Sequence, residues 1–210
     1  MEMTGKKPVV ERATSEVRRR IIDGQYAHGD FLREEPLVKQ LGVSRHTLRT
    51  ALDRLVAEGF LVRDANKGVR VPVGNAAAIF DLQRARIALE IEATWGLTST
   101  ALTGACEVPI AELRALEALG GNAVAHATVC GQIHCAMVRS SRSPRLIRAH
   151  ALLSNELLVA KIPLLACGPV GCGDAGSHAS LVSLEGKNLA RALREHLERE
   201  RNAILLLRSH

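Results

Sequence analysis

The chain has 210 residues, of which 47% are hydrophobic and 2% aromatic, and this excludes a disordered chain. With so few aromatic residues, the core must be built from Leu, Ala, Val and Ile, a composition that favours packed helices. The net charge of +6 makes a polyanionic partner plausible, and +4 of it lies in residues 1–75, which hold 14 Lys and Arg against 10 Asp and Glu.

The first part of the chain predicts two helices. Residues 9–23 form an amphipathic pattern that Gly24 ends. Their apolar residues recur at helical spacing: Val10, Ala13, Val17, Ile21 and Ile22. After a turn-rich connection, residues 34–41 predict a short second helix, in which Pro36 is tolerated only in the first turn.

The stretch GVSRHTLRTALDRLVAEGF predicts a third helix that Ser44 caps, because a serine hydroxyl can accept a hydrogen bond from a free backbone N–H at a helix start. Its expected buried stripe is Leu48, Ala51, Leu52 and Leu55. Two short β segments, FLVRD and VRVPV, follow on either side of the tight-turn sequence ANKG. This order of elements predicts a winged helix-turn-helix domain over residues 1–74.

A recognition helix of this motif enters the major groove with its N-terminal end first. The guanidinium groups of Arg45 and Arg49 can then bond guanine O6 and N7 or clamp phosphates, and the positive end of the helix adds to the attraction. Lys67 and Gly68 at the wing tip are placed to lie along the minor groove, where glycine allows close backbone approach. Taken singly, each arginine is more often a solvated surface charge, but the order of elements favours DNA contact.

The stretch LREEPLVKQLGVSRHTLRTALDRLVAEGFLVRDANKGVRV is similar to the GntR family of bacterial transcription regulators, and the match covers about residues 9–73. It is carried by Leu37, Leu41, Gly42, Val43, Ser44, Arg45, Leu48, Arg49, Ala51, Leu52, Leu55, Glu58, Gly59 and Gly68. The resemblance implies that Arg45 and Arg49 contact the operator. The full set of expected DNA-binding residues is Arg33, Ser44, Arg45, His46, Thr47, Arg49, Lys67 and Gly68.

The sequence departs from the family in the short second helix. The family usually has an arginine at the second position of an E-R-x-L-A-like run, and here that position is Glu35. The basic residue has moved to Arg33. A glutamate that faces phosphate is repulsive, so either Arg33 takes over the phosphate contact or operator binding is weaker or altered.

Residues 75–210 predict helices only, without strand alternation or repeats. The helices are expected at about 77–102, 107–119, 121–140, 143–165, 174–184 and 187–208. In the first of them, Arg86-Ile-Ala-Leu-Glu90 resembles the R-x-x-L-E signature of the FCD ligand-binding domain, the helical partner of many GntR-type DNA-binding domains. The expected fold class is therefore mainly α, with a winged helix-turn-helix followed by an all-α, FCD-like domain for effector binding and dimerisation.

The FCD resemblance implies a metal held inside the helical bundle. The family pattern is an Asp and a His one turn apart, followed by two His on later helices. Here His134, His178 and His196 match the histidines, and Cys130 stands in the position of the Asp. Three His and one Cys make a reasonable set for a divalent metal, with Zn²⁺ the best match. Two alternatives stay open: Cys130 is a small core residue and metal binding is lost, or His126 is a surrogate ligand.

Effectors of this domain class are usually small carboxylates that coordinate the metal, and the resemblance implies such an effector here. Arg86 lies on the helix that would line the cavity and can pair with a carboxylate bidentately. A pair with Glu90, one turn away, is an equal alternative. The expected function is a repressor that binds a palindromic double-stranded DNA operator as a homodimer, with effector and operator affinities coupled.

A function from another class is a metal-dependent hydrolase that uses the Cys/His cluster. Such an enzyme needs a general base beside its ligands, and the sequence has no H-E-x-x-H motif. We therefore expect no enzymatic activity.

The expected compartment is the cytoplasm, with reduced thiols. No apolar run approaches the roughly 20 residues that a membrane-spanning helix needs, and the first ten residues lack the apolar core of a signal peptide. The five cysteines do not follow zinc-finger spacing. Cys167 and Cys172 are separated by four residues in a glycine-rich loop, so a regulatory disulfide is the alternative to two free thiols.

Overall fold

The structure of the protein, a computed structural model, describes residues 8–65, 67–165 and 173–207. Asn66 of the expected turn, and Cys167 and Cys172, lie outside the described residues, so two free thiols stay the prediction and a disulfide its alternative. The chain divides into two compact units, Met1–Val73 and Gly74–His210. Within the described ranges, no helix is both long and apolar enough to cross a bilayer.

The first unit is a winged helix-turn-helix, as predicted. Its elements are the helices α1 (Val9–Ile22), α2 (Glu34–Leu41) and α3 (Arg45–Ala57) and the strands β1 (Val62–Asp64) and β2 (Gly68–Arg70). Helices α1 and α2 both pack against α3. The two strands are antiparallel, with Val62 opposite Arg70 and Asp64 opposite Gly68.

Local signals explain where α2 ends and α3 begins. Helix α2 stops at Gly42, whose φ of 62° lies in the left-handed region that favours glycine. Two residues later, the side chain of Ser44 accepts a hydrogen bond from the Thr47 N–H at 3.1 Å, which confirms the predicted cap. The predicted stripe of α3 is buried: Leu48, Ala51, Leu52 and Leu55. Since this stripe faces the core, the opposite face of α3 is left exposed at its N-terminal end.

The second unit is a helical bundle, which confirms the predicted all-α domain. Its helices within the described ranges are α4 (Ala76–Thr94), α5 (Ser99–Ala118), α6 (Ala123–Arg139), α7 (Pro144–Leu165), α8 (Ala175–Val182) and α9 (Gly186–Leu207). Helix α5 packs on α6 and α8, while α4 packs on α6, α7 and α9. Aliphatic side chains and one methionine fill much of the core: Leu102, Leu113, Ile133, Met137, Leu181, Leu189, Leu193 and Leu197.

The predicted helix over residues 77–102 is wrong, since the structure has two helices there. The chain leaves α4 at a turn in which Gly96 adopts a φ of 78°, a conformation that few other residues reach without strain. Thr98 then caps α5, because its side chain accepts a hydrogen bond from the Ala101 N–H at 3.3 Å. A single glycine followed by a threonine cap is therefore enough to break the helix.

The predicted break between residues 102 and 107 is also wrong. Helix α5 runs on through Pro109, although a proline inside a helix removes one backbone hydrogen bond. Buried residues on both sides of the proline hold the helix against the core: Leu102, Cys106, Ile110 and Leu113. Tertiary packing therefore overrides the local signal of the proline.

Candidate functional site

The N-terminal end of α3 presents the predicted DNA-contacting residues on an accessible surface. Ser44, Arg45, His46 and Arg49 are exposed, and Thr47 is half-buried. Two guanidinium groups and the positive end of the helix macrodipole thus lie close together, and this combination attracts a polyanion.

One of these arginines has a partner that the sequence reasoning missed. Nε of Arg49 donates to both carboxylate oxygens of Glu34, at 3.1 and 2.9 Å. The two side chains remain 66% and 39% exposed, so the pair contributes little to stability. The pair fixes the position of the Arg49 side chain, because it engages Nε and not the two Nη groups, which are the ones that a bidentate contact to guanine requires. No spacing rule signals this contact, since the residues lie on different helices.

Glu35, the departure from the family pattern, pairs with Lys39 at 3.0 Å on the exposed face of α2. Arg33 lies directly before α2 and is exposed. The negative charge of Glu35 therefore has a neighbouring cation, and Arg33 is accessible at the start of the same helix. A phosphate contact by Arg33 stays a prediction.

The wing and the two helices of the helix-turn-helix border one groove of about 680 Å³. Its lining includes Arg33, Glu34, Arg49, Arg63, Lys67 and Gly68. Gly68 has a φ of 99°, a left-handed conformation that favours glycine, and Lys67 beside it is exposed. The structure thus brings predicted residues from α3, from the start of α2 and from the wing to one concave surface.

Three buried histidines meet in the second unit. His134 comes from α6, His178 from α8 and His196 from α9, and none is more than 5% exposed. One ligand nitrogen of each ring lies within 4.8 Å of the others. The Nε2 atoms of His134 and His196 are 3.3 Å apart. The structure therefore brings together the three histidines that the family resemblance selected, and we call them the histidine group.

Hydrogen bonds orient two of these rings. His178 Nδ1 lies 2.8 Å from the backbone carbonyl of Asp174; since a carbonyl only accepts, Nδ1 carries the proton and Nε2 keeps its lone pair. That Nε2 is buried and has no hydrogen-bond partner among the described residues. His134 Nδ1 lies 2.6 Å from Oε2 of Glu90, so Nδ1 donates to the carboxylate and, in the neutral ring, Nε2 is the lone-pair atom. Two imidazole lone pairs are thus available in one buried space.

Burial keeps two of the imidazoles uncharged at neutral pH. It lowers the pKa of His178 to about 4, and electrostatic repulsion from a proton on the neighbouring His134 ring acts in the same direction. It lowers the pKa of His196 to about 3, to which His134 and then His178 contribute. Neutral imidazole is the form that binds a metal, so protons do not compete for these nitrogens at pH 7.

The histidine group fits a divalent transition metal such as Zn²⁺. Two nitrogens that each lie about 2.0–2.1 Å from a tetrahedral zinc are roughly 3.3 Å apart, which matches the 3.3 Å between the Nε2 atoms of His134 and His196. The buried Nε2 of His178 supplies a third donor. Three imidazoles suit Zn, Cu, Fe and Ni alike, so the donor set allows a metal without selecting one.

Cys130, predicted as the fourth ligand, does not join the histidine group. Its Sγ lies 3.6 Å from Nδ1 of His126 and 3.6 Å from the carbonyl oxygen of Gly173. His126, the alternative ligand, is not part of the group either, and its Nε2 lies 3.5 Å from Glu117. Cys130 is 3% exposed and packs in the bundle core, as the alternative of a small core residue expects.

Gly173 packs directly against His196. A Cβ at position 173 would lie 2.8 Å from Cε1 of His196 and 3.3 Å from its Nδ1, so one of the two residues would have to move. We expect Gly173→Ala to displace the ring and lower the affinity for Zn²⁺ by about tenfold or more, as the loss of an outer-shell partner does. Competition with a chromogenic chelator measures this affinity.

Gly176→Ala is the matched control for this substitution. The nearest atom to a Cβ at position 176 would be Oδ1 of Asp174 at 3.5 Å, an ordinary contact, so zinc affinity should stay unchanged. Equal losses in the two variants would mean that the contact between Gly173 and His196 does not position the ring.

A network of buried charges adjoins the histidine group. Oε1 of Glu90 accepts from Nε of Arg86 at 2.6 Å and lies 2.8 Å from Nε2 of His150, while Oε2 faces His134. Burial alone would raise the pKa of Glu90, but Arg86 and then His134 outweigh it and hold the pKa well below its usual range. Nη1 of Arg86 also donates to Glu200 at 2.8 Å. Arg86, predicted to take the effector, is thus paired with two carboxylates of the protein itself.

Comparison with known proteins assigns the first unit. Residues 9–71 match the model of the bacterial regulatory proteins of the gntR family. The Nta operon transcriptional regulator of Aminobacter aminovorans is 48% identical over 62 residues, which are 30% of this chain and 30% of that relative. The HTH-type transcriptional regulator BphR of Paraburkholderia xenovorans is 34% identical over 101 residues, which are 48% of this chain and 40% of that relative. The chain thus matches less than half the length of these relatives.

Solved structures resemble the whole chain in fold. A transcriptional regulator GntR from Rhodococcus sp. RHA1 has a TM-score of 0.67 at 20% identity, over 95% of this chain and 97% of that one. The E. coli protein McbR/YncC has a TM-score of 0.58 at 19% identity, over 97% of this chain and 95% of that one. The matched family is one of bacterial regulatory proteins, and its match lies within the first unit. Residues 9–71 thus match the GntR family of bacterial regulatory proteins, and the whole chain shares its fold with solved structures of transcription regulators.

Proposed function

We propose that the chain represses transcription as a homodimer that binds a palindromic double-stranded DNA operator. The observation that carries this proposal is the exposed N-terminal end of α3, with Arg45 and Arg49 on it, in a unit that matches the gntR family. One helix-turn-helix reads a half-site, and the two-fold symmetry of a dimer matches a palindrome. A bacterial regulator of this kind acts on the chromosome, in the cytoplasm.

In this proposal α3 enters the major groove with its N-terminal end first. Arg45 and Arg49 bond base edges or phosphates, and the Glu34 carboxylate restricts Arg49 to fewer conformations before DNA arrives. The other residues contact the DNA backbone or the minor groove: Arg33, Ser44, His46, Thr47, Lys67 and Gly68. The groove that several of them line supports a single continuous contact surface.

The second unit is proposed to bind a small carboxylate effector with the help of a divalent metal, Zn²⁺ being the first candidate. The histidine group supports this because its nitrogens are buried, and those of His178 and His196 are uncharged at neutral pH. A bound metal would supply a positive centre with an open position for an anionic ligand. An effector that binds one arrangement of the dimer better changes the operator affinity, and the coupling is reciprocal.

Selection from a random duplex pool, followed by gel shift, tests the DNA-binding proposal. The wild type should enrich one palindromic sequence, whose half-site spacing reports the dimer. Arg45→Ala is expected to weaken binding of that sequence by about 5–150-fold, which corresponds to about 1–3 kcal/mol for one specific contact. The loss should be smaller on unrelated DNA, where only phosphates are contacted.

Arg54→Ala provides the matched control, because it removes the same charge from an exposed position in the last turn of α3. It should leave operator affinity nearly unchanged at moderate salt. Similar losses in the two variants would contradict docking by the N-terminal end of α3. If the wild type enriches no sequence at all, the proposed function is wrong.

A further inference from the structure

Three helices bring two buried cations and one buried carboxylate together. Arg86 of α4 and Lys161 of α7 are each 4% exposed, and Glu200 of α9 is 3% exposed. Lys161 Nζ donates to Oε1 of Glu200 at 2.6 Å, and Arg86 Nη1 donates to Oε2 at 2.8 Å. Each oxygen of this carboxylate therefore has a cation of its own.

Such an arrangement is what a carboxylate ligand requires. Charge-assisted bonds to both oxygens are strong and directional, and an arginine beside a lysine supplies them in an interior that excludes water. Glu200 is far from both cations in the sequence, 114 positions after Arg86 and 39 after Lys161. Helix α9 thus places the Glu200 carboxylate against two cations that α4 and α7 provide.

A second nitrogen of the guanidinium is taken as well. Nε of Arg86 donates to Glu90 at 2.6 Å, so the protein supplies carboxylates to two of its three nitrogens. An incoming carboxylate therefore meets a cation pair that is already neutralised. It can reach Nη1 of Arg86 and Nζ of Lys161 only if the side chain of Glu200 leaves.

We propose that Arg86 and Lys161 form a carboxylate-binding site that the protein fills with its own Glu200, and that a carboxylate effector reaches Arg86 by displacing this side chain. The site takes a small monocarboxylate and needs no metal. Only the displacement by an effector rests on the function proposed above. Because α9 also carries His196, one turn before Glu200, displacement acts on a helix of the histidine group.

The test removes the internal carboxylate and asks whether an external one replaces it. Glu200→Ala deletes a CH₂–COO⁻ group, which has nearly the size of acetate. Melting temperatures of the full chain are compared at pH 7 in sodium acetate and in sodium chloride of equal ionic strength. A chelator is present throughout, so acetate cannot act through a metal. Acetate should raise the melting temperature of Glu200→Ala saturably, by about 2–4 °C or more above the value in chloride.

The wild type and Glu200→Gln are the controls, because their side chains fill the space and should respond equally to the two salts. Equal responses of Glu200→Ala to both salts, or the same acetate effect in the wild type, would overturn the proposal. If the alanine variant does not fold in chloride, refolding from urea into either salt replaces the melting curve. Recovery in acetate alone supports the site, and failure in both salts counts against it. No DNA or metal is used, so a failure of the proposed function would not alter this result.

Discussion

His178→Ala is expected to lower the affinity for Zn²⁺ by more than about 100-fold, the upper end of the loss that follows removal of an outer-shell partner. The reason is that Nε2 of His178 is buried without a hydrogen-bond partner among the described residues, while its neighbours His134 and His196 complete a donor set. A buried nitrogen in this state is satisfied by a metal or by water. Competition with a chromogenic chelator, on reduced protein, measures the change.

His126→Gln is the control that keeps this experiment specific. His126 lies on α6, as His134 does, but its ring faces Cys130 and Glu117. Zinc affinity should therefore be retained in this variant. If His178→Ala binds Zn²⁺ as tightly as the wild type does, the proposed metal site is wrong. If only His126→Gln loses zinc affinity, the metal lies nearer to Cys130 than to the histidine group.

The absence of a carboxylate from the histidine group is explained by where the nearest carboxylate points. The carboxylate of Glu90 contacts Nδ1 of His134, and not the nitrogens that the three rings would offer to a metal. Its negative charge therefore orients the ring and makes Nε2 a better donor, which is the role of an outer-shell partner. The family's aspartate has no direct substitute among the described residues, because Cys130 turns toward His126 and Gly173.

The first unit could be predicted almost element by element, because its boundaries depend on local chemistry. Gly42 ends α2 and Ser44 caps α3, and both effects act within a few residues. The contact between Glu34 and Arg49 could not be predicted in this way, since it joins two helices. Its position follows only once the crossing of α2 over α3 is known.

The second unit was predictable as a class but not in its interior. Helical periodicity predicts the helices, and the family resemblance indicates the three histidines. The ion pairs of Glu90 and Glu200 could not be predicted, because they join helices that are distant in the sequence. One signal was available in the sequence: Lys161 lies in the apolar run LLVAKIPLL. A lysine inside a buried helix predicts a buried counter-ion, although the pattern does not say which glutamate supplies it.

Lys161→Met should destabilise the second unit by about 3 kcal/mol or more at pH 7, since it breaks a buried ion pair and leaves Glu200 with one cation fewer. Burial alone would raise the pKa of Glu200, but Lys161 and then Arg86 outweigh it and hold the pKa well below its ordinary value of 4.5. A carboxyl with a lowered folded pKa binds fewer protons when folded. Its contribution to stability is therefore present above about pH 4.5 and is lost as the pH falls below it.

Urea unfolding at pH 7 and at several lower pH values, in the presence of chelator, checks both the size and the sign of this effect. Lys187→Met removes an exposed lysine at the start of α9 and should change the free energy of unfolding by no more than about 0.5 kcal/mol. The wild type should lose stability in acid more steeply than Lys161→Met, because without Lys161 the pKa of Glu200 lies nearer its ordinary value. Equal costs for the two methionine variants would mean that the buried pair contributes no more than a surface lysine. If only Lys161→Met lowers the free energy of unfolding strongly, then the packing of α9 on α4 and α7 depends on balanced buried charges as well as on apolar contacts.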